Sequence, residues 1–119
     1  NFFLENVIST FHENTSPRLF SYLMQAPVND GGQWDMFVSL TKKYGVVPQQ
    51  VMPETANSSN TRDLDRYLTL KLREFACELR NMHEKGATLS EIRKSKENML
   101  DTIYRILVIS LGLPPKIHI

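Results

Sequence analysis

The chain holds few side chains able to make or break a bond. Its single cysteine, Cys77, is the one candidate nucleophile. A thiol attacks as its thiolate, which needs a helix N-terminus, a cation or a neighbouring base to form near neutral pH. Cys77 falls in the middle of a helical pattern, so no helix N-terminus reaches it. His83, six residues on, lies about 120° away around a helix of 3.6 residues per turn. It cannot activate the thiol, and Cys77 reads as a structural cysteine. His12, His83 and His118 show no metal-ligand spacing. No phosphate-loop lysine follows the paired glycines Gly31 and Gly32, so they do not cradle a nucleotide. No catalytic residue, metal or cofactor is assigned within the chain.

The stretch NDGGQW, Asn29 to Trp34, is different. Paired glycines cost more conformational entropy on folding than other residues. Bare backbone leaves an N–H and a C=O open to pair with an extended peptide, while an aromatic at the head of the next helix walls a side-chain pocket. The alternative is a plain turn with Trp34 in the core, and motif shape alone weighs the two evenly.

Helices must position this loop. Phe2, Phe3, Val7, Ile8 and Phe11 recur at three-to-four spacing and predict a first helix. Ser16 and Pro17 read as N-cap and first position of a second, through Leu19, Phe20, Leu23 and Met24. A third carries Trp34, Phe37, Val38 and Leu40 and ends at Gly45. VVPQQVMPE is extended by its prolines, and TANSSN reads as a polar loop. A fourth helix begins near Asn60 or Thr61, with Leu64, Leu68, Leu72, Phe75, Leu79 and Met82 on one face, and ends at Gly86. Thr88 and Glu91 form a capping box for a fifth, which is apolar nearly all round from Met99 to Leu111 and is expected to be buried on several sides. Gly112, Pro114 and Pro115 stop it. No strand pattern appears. The fold class is all-α, with about five helices.

At 119 residues the chain has the length of one domain, with 41% hydrophobic and 23% charged residues and a net charge of +1. That balance gives no pointer to nucleic acid or to a membrane. Arg62, Arg66, Arg73 and Arg80 line one side of the fourth helix and read as a solvated or ion-paired face rather than a phosphate-tracking stripe. Tyr67, Leu70 and Cys77 lie off the apolar stripe, where they suit a partner surface. One cysteine and no basic-then-apolar leader fit a soluble cytoplasmic protein. The start at Asn1 and stop at Ile119 read as an excised piece.

The runs NFFLENVI, RLFSYLMQAPVNDGGQWDMFVSLTKKYGVVP, VMPE and KLREFACELR resemble the bleomycin hydrolase/aminopeptidase C family of papain-like cysteine peptidases, nearest to the bacterial aminopeptidase C branch. The resemblance runs on to ILVISLGLPP. It implies a helical part of a papain-like α+β fold in a cytosolic homo-hexamer that trims amino-terminal residues from peptides. It further implies that Gly31 and Gly32 contact the substrate backbone, with Gln33 and Trp34 bordering the neighbouring subsite. On the same ground, a valine at Gly32 would meet both the substrate backbone and an unfavourable positive φ. Residues 1–59 would line the cleft and 60–119 would form a long helical hairpin insertion. The family's nucleophilic cysteine and oxyanion-hole glutamine would lie upstream, and its histidine and asparagine downstream; Cys77 matches none of them. The competing expectation is a non-catalytic helical interaction module, with the Tyr67–Leu70–Cys77 strip and the apolar end of the last helix as its partner surface.

Overall fold

Spacing of three and four becomes helix along most of the chain. The computed structural model describes residues 1–11, 17–28 and 31–116. Among these residues the order is α1 (Phe2–Ser9), α2 (Pro17–Gln25), α3 (Trp34–Tyr44), α4 (Ala56–Ser59), α5 (Arg62–Glu84) and α6 (Leu89–Leu111). No strand occurs among them.

The frame is the antiparallel pair α5 and α6. Leu64, Leu68, Leu72, Phe75 and Leu79 bury one stripe of α5, as their spacing predicts. The Lys85–Gly86 turn reverses the chain. Gly86 takes φ +86°, and the Ala87 N–H reaches back to the Met82 carbonyl at 3.0 Å, the six-to-one bond that ends a helix in a left-handed residue. The α6 capping box forms: Thr88 Oγ1 accepts from the Glu91 N–H and the Glu91 carboxylate accepts from the Thr88 N–H.

The hairpin cannot cover its own apolar stripe, and α1 closes it. Leu4 and Ile8 join Leu72, Phe75, Leu79, Ile92 and Met99 in one core. Each such side chain contributes about 1.5–3 kcal/mol when fully buried. This core draws on both sides of the 59/60 boundary.

An ion pair fixes the same helix. Lys96 lies on the apolar stripe of α6 between Ile92 and Met99 and is only 5% exposed. Its ammonium donates to Glu5 Oε1 of α1 at 2.5 Å and meets Glu97 at 3.4 Å, and Arg93 approaches the same Glu5 carboxylate at 3.6 Å. The hydrogen bond from Lys96 holds the Glu5 carboxyl below its ordinary value, and the same bond holds the Lys96 ammonium above its own.

Four expectations need correction. TANSSN contains a helix, α4, because Thr55 and Ser58 form a reciprocal capping box of their own. There are therefore six helices among the described residues, in keeping with the all-α reading. VVPQQVMPE is interrupted by a turn, with the Val51 and Met52 N–H groups donating to the Pro48 carbonyl. Phe2 points outward at 82% exposure and Leu4 takes the core position. The far half of α6 is not enclosed: Tyr104 and Ile109 are exposed, because α1 covers only the early part of the hairpin and the short α4 is the element packed near its end. His12, Ser16, Asn29, Asp30 and His118 lie outside the described residues.

Candidate functional site

The glycine loop sits between α2 and α3. Neither α2 nor α3 contains a buried residue. The Cα radius of gyration is accordingly 16.4 Å, against about 13.5 Å for a compact domain of this length.

Local chemistry makes α3. Gln33 is its N-cap, in extended backbone, and its carbonyl accepts from the Met36 N–H at 3.0 Å. Its side chain does not cap the helix. Asp35 in the first turn and Lys42 and Lys43 in the last complement the helix dipole. Gly45 closes the helix, donating its N–H to the Thr41 carbonyl at 2.8 Å. An eleven-residue helix is marginal in water on such terms alone. Yet Trp34, Met36, Phe37, Leu40 and Tyr44 are all exposed. Trp34 is 74% exposed, and its ring lies near that of Phe37 on the next turn, with centroids 5.3 Å apart. Trp34 is therefore not part of the core of this chain.

The two glycines differ. Gly31 takes φ +98°, where side chains are strained, and a Cβ there would meet no described atom within 4 Å. Gly32 does not take a left-handed φ, and a Cβ there would sit 3.4 Å from Met36 Sδ, an ordinary contact with the movable end of a side chain. The expectation of a positive φ at Gly32 is thus corrected: the turn places it at Gly31. Gly31 is required by the turn, whereas nothing described within the chain requires Gly32 to be bare.

Thermal melts of two variants separate these roles. Gly31→Ala should cost about 1–2 kcal/mol, the penalty of a left-handed residue bearing a Cβ. Gly32→Ala should be neutral or stabilise by about 0.4–1 kcal/mol, through the lower entropy of the unfolded chain. Equal losses in both would contradict the assignment.

Other candidate residues are taken up elsewhere. Cys77 is exposed in mid-α5. The His83 ring lies parallel to Phe11, centroids 4.9 Å apart, at the end of α1. The arginines divide. Arg73 donates from Nε to the Met24 carbonyl at 2.7 Å and from Nη2 to the Gln25 carbonyl at 2.9 Å. Arg80 pairs with Glu84 at 3.3 Å and lies 4.4 Å from the centre of the Phe20 ring. Half of the stripe therefore holds α2 against α5, which sequence spacing did not reveal because the contacts span about fifty to sixty residues. Lys96 was also missed, although a charge at an apolar-stripe position was the available signal. No cluster of three metal-ligating side chains occurs among the described residues, and no helix there is long and apolar enough to cross a membrane.

Comparison with known proteins decides the family. The profile of the Peptidase C1-like family matches residues 1–118. The chain belongs to that family. Its Peptidase C1-like relatives include aminopeptidase C of Lactobacillus delbrueckii subsp. lactis, 47% identical over 116 residues, covering 98% of this chain and 26% of the relative. Bleomycin hydrolase of Rattus norvegicus is 43% identical over 117 residues, covering 97% of this chain and 26% of that protein. The crystal structure of PepW from Lactobacillus rhamnosis HN001 superposes with a TM-score of 0.86 at 44% identity, over 97% of this chain and 26% of that one. The chain thus spans about a quarter of the length of these relatives. The helical arrangement is that of a segment of a Peptidase C1-like protein.

Proposed function

We propose that this segment is the scaffold and one cleft wall of a cysteine aminopeptidase that removes residues from the amino termini of peptides. Gly32 and its neighbours Gly31, Gln33 and Trp34 bind substrate; the nucleophile and base come from outside the segment. Family membership and the names of the aminopeptidase C and bleomycin hydrolase relatives support the reaction class. The observation that carries the site is Gly32, bare where the described fold has no steric need for it. An extended peptide lying along Gly32 would supply the reason, pairing its backbone with the open N–H and C=O. The exposed Trp34 beside it then borders a side-chain subsite. Assembly as a cytoplasmic homo-hexamer belongs to the same proposal, with the exposed Tyr67, Leu70, Tyr104 and Ile109 as surface available to neighbouring chains. A non-catalytic interaction module would use the Tyr67–Leu70–Cys77 strip and the apolar end of α6.

The test uses the longer protein that carries this segment. It should release amino acids from aminoacyl reporters, and a thiol-alkylating reagent should stop it. Cys77→Ala should leave that rate unchanged, because an exposed mid-helix thiol with no paired base has no part in acyl transfer. Loss of turnover in Cys77→Ala, or no turnover in the parent protein, would overturn the proposal.

A further inference from the structure

We infer that Arg73 is a positioning residue for the glycine loop, acting through the end of α2. The inference rests on the reading of Gly31 and Gly32 as substrate contacts. On the downstream side of the loop no residue of α3 is buried within this segment. On the upstream side α2 has no fully buried residue, but its last two carbonyls, Met24 and Gln25, accept the Nε and Nη2 hydrogens of Arg73 at 2.7 and 2.9 Å. These carbonyls are among those that no intrahelical N–H can satisfy, and a cation there also meets the negative end of the helix dipole. Arg73 directly follows the core residue Leu72 and lies within one turn of Phe75 and Ala76, so its base is rigid. Arg80 over the Phe20 ring fixes the middle of α2 to the same helix.

From Gln25 the chain passes Pro27, whose ring limits the backbone, and Val28, which packs against the core. Gly31 follows three residues later, within about 11 Å of Val28 even if the chain is fully extended. The clasp therefore sets where α2 ends and the direction in which Pro27 and Val28 enter the loop. The guanidinium fork is specific to this task. Two parallel N–H groups on one plane match two successive carbonyls, whereas a lysine ammonium presents one point charge.

The experiment compares Arg73→Met, Arg73→Lys and Gly32→Val with the parent in the full-length protein, well below the melting temperature and per titrated active thiol. A displaced cleft wall weakens peptide binding and leaves the nucleophile alone. Arg73→Met should raise KM for a peptide reporter about 3- to 10-fold while kcat stays within about twofold. Arg73→Lys, which retains the charge and keeps the fold intact, should fall between. The rate of alkylation of the active thiol by a small reagent should not change. A lower melting temperature with unchanged KM in both Arg73 variants would overturn the inference and leave Arg73 a purely structural clasp. If Gly32→Val lowers kcat/KM and the Arg73 variants leave KM unchanged, this inference alone fails. If Gly32→Val leaves kcat/KM unchanged, the underlying reading of the loop fails with it.

Discussion

Gly32→Val in the full-length peptidase should lower kcat/KM by about 5- to 150-fold while leaving the melting temperature unchanged. Two neutral backbone hydrogen bonds to the substrate are at stake, each contributing about 0.5–1.5 kcal/mol net. Their sum of about 1–3 kcal/mol converts to that range at about 1.4 kcal/mol per decade. Stability should be spared for a reason specific to this position. Gly32 is not in the left-handed region, and among the described residues a Cβ meets only the end of Met36 at 3.4 Å. The steric conflict of a valine is therefore with an incoming peptide rather than with the fold. Kinetics on a dipeptidyl reporter beside a thermal melt make the comparison. Unchanged kinetics, or a stability loss large enough to account for the whole effect, would return the stretch to a simple turn.

The second large effect concerns the scaffold. Glu5→Gln should destabilise the fold by about 1–2 kcal/mol at neutral pH. The change removes the carboxylate that faces a lysine only 5% exposed, leaving Lys96 the more distant Glu97 at 3.4 Å. Losing one partner of a fully buried pair costs about 3–5 kcal/mol. Glu5 keeps 35% of its side chain in solvent, so screening reduces that figure. The pH dependence follows from the two directions. Glu5 is held below the usual 4.5, so its contribution is complete above that value and is lost as pH falls through the folded-state value. Lys96 is held above the usual 10.5, so its contribution is complete below that value and is lost as pH rises through the folded-state value. The Glu5→Gln penalty should therefore be constant between about pH 5 and 10 and shrink in acid, where the parent's Glu5 is also protonated. Urea midpoints at unchanged m-value measure it. An undiminished penalty well below the folded-state value of Glu5, or none at pH 7, would contradict the pairing.

Local signals in the sequence reached most of the fold. The stripe from Leu64 to Leu79, the Gly86 turn and the Thr88–Glu91 capping box each depend on residues within a few positions of one another, and each forms as the spacing indicates. What spacing did not reach depends on contacts across the chain. Lys96 is buried because Glu5, ninety-one residues away, neutralises it. Arg73 and Arg80 read as a solvated or ion-paired face, and Arg80 does pair with Glu84, but their partners on α2 lie some fifty to sixty residues earlier. The far half of α6 is uncovered within this segment for a related reason. An apolar circumference states a need for cover, and α1 is long enough to meet it only near Met99. At the site, the glycine pair and the helix it precedes were legible. The division of labour between Gly31, which the turn needs, and Gly32, which it does not, required the backbone angles.

The central claim is that peptide backbone lies against Gly32. The most direct measurement is a crystal structure of the full-length protein with a non-cleavable peptide analogue bound. The account predicts the analogue extended along the loop, with its backbone N–H or C=O within about 2.7–3.2 Å of the Gly32 carbonyl or amide and a side chain beside Trp34. An analogue bound in the cleft with no backbone atom in hydrogen-bonding reach of Gly32 would contradict it.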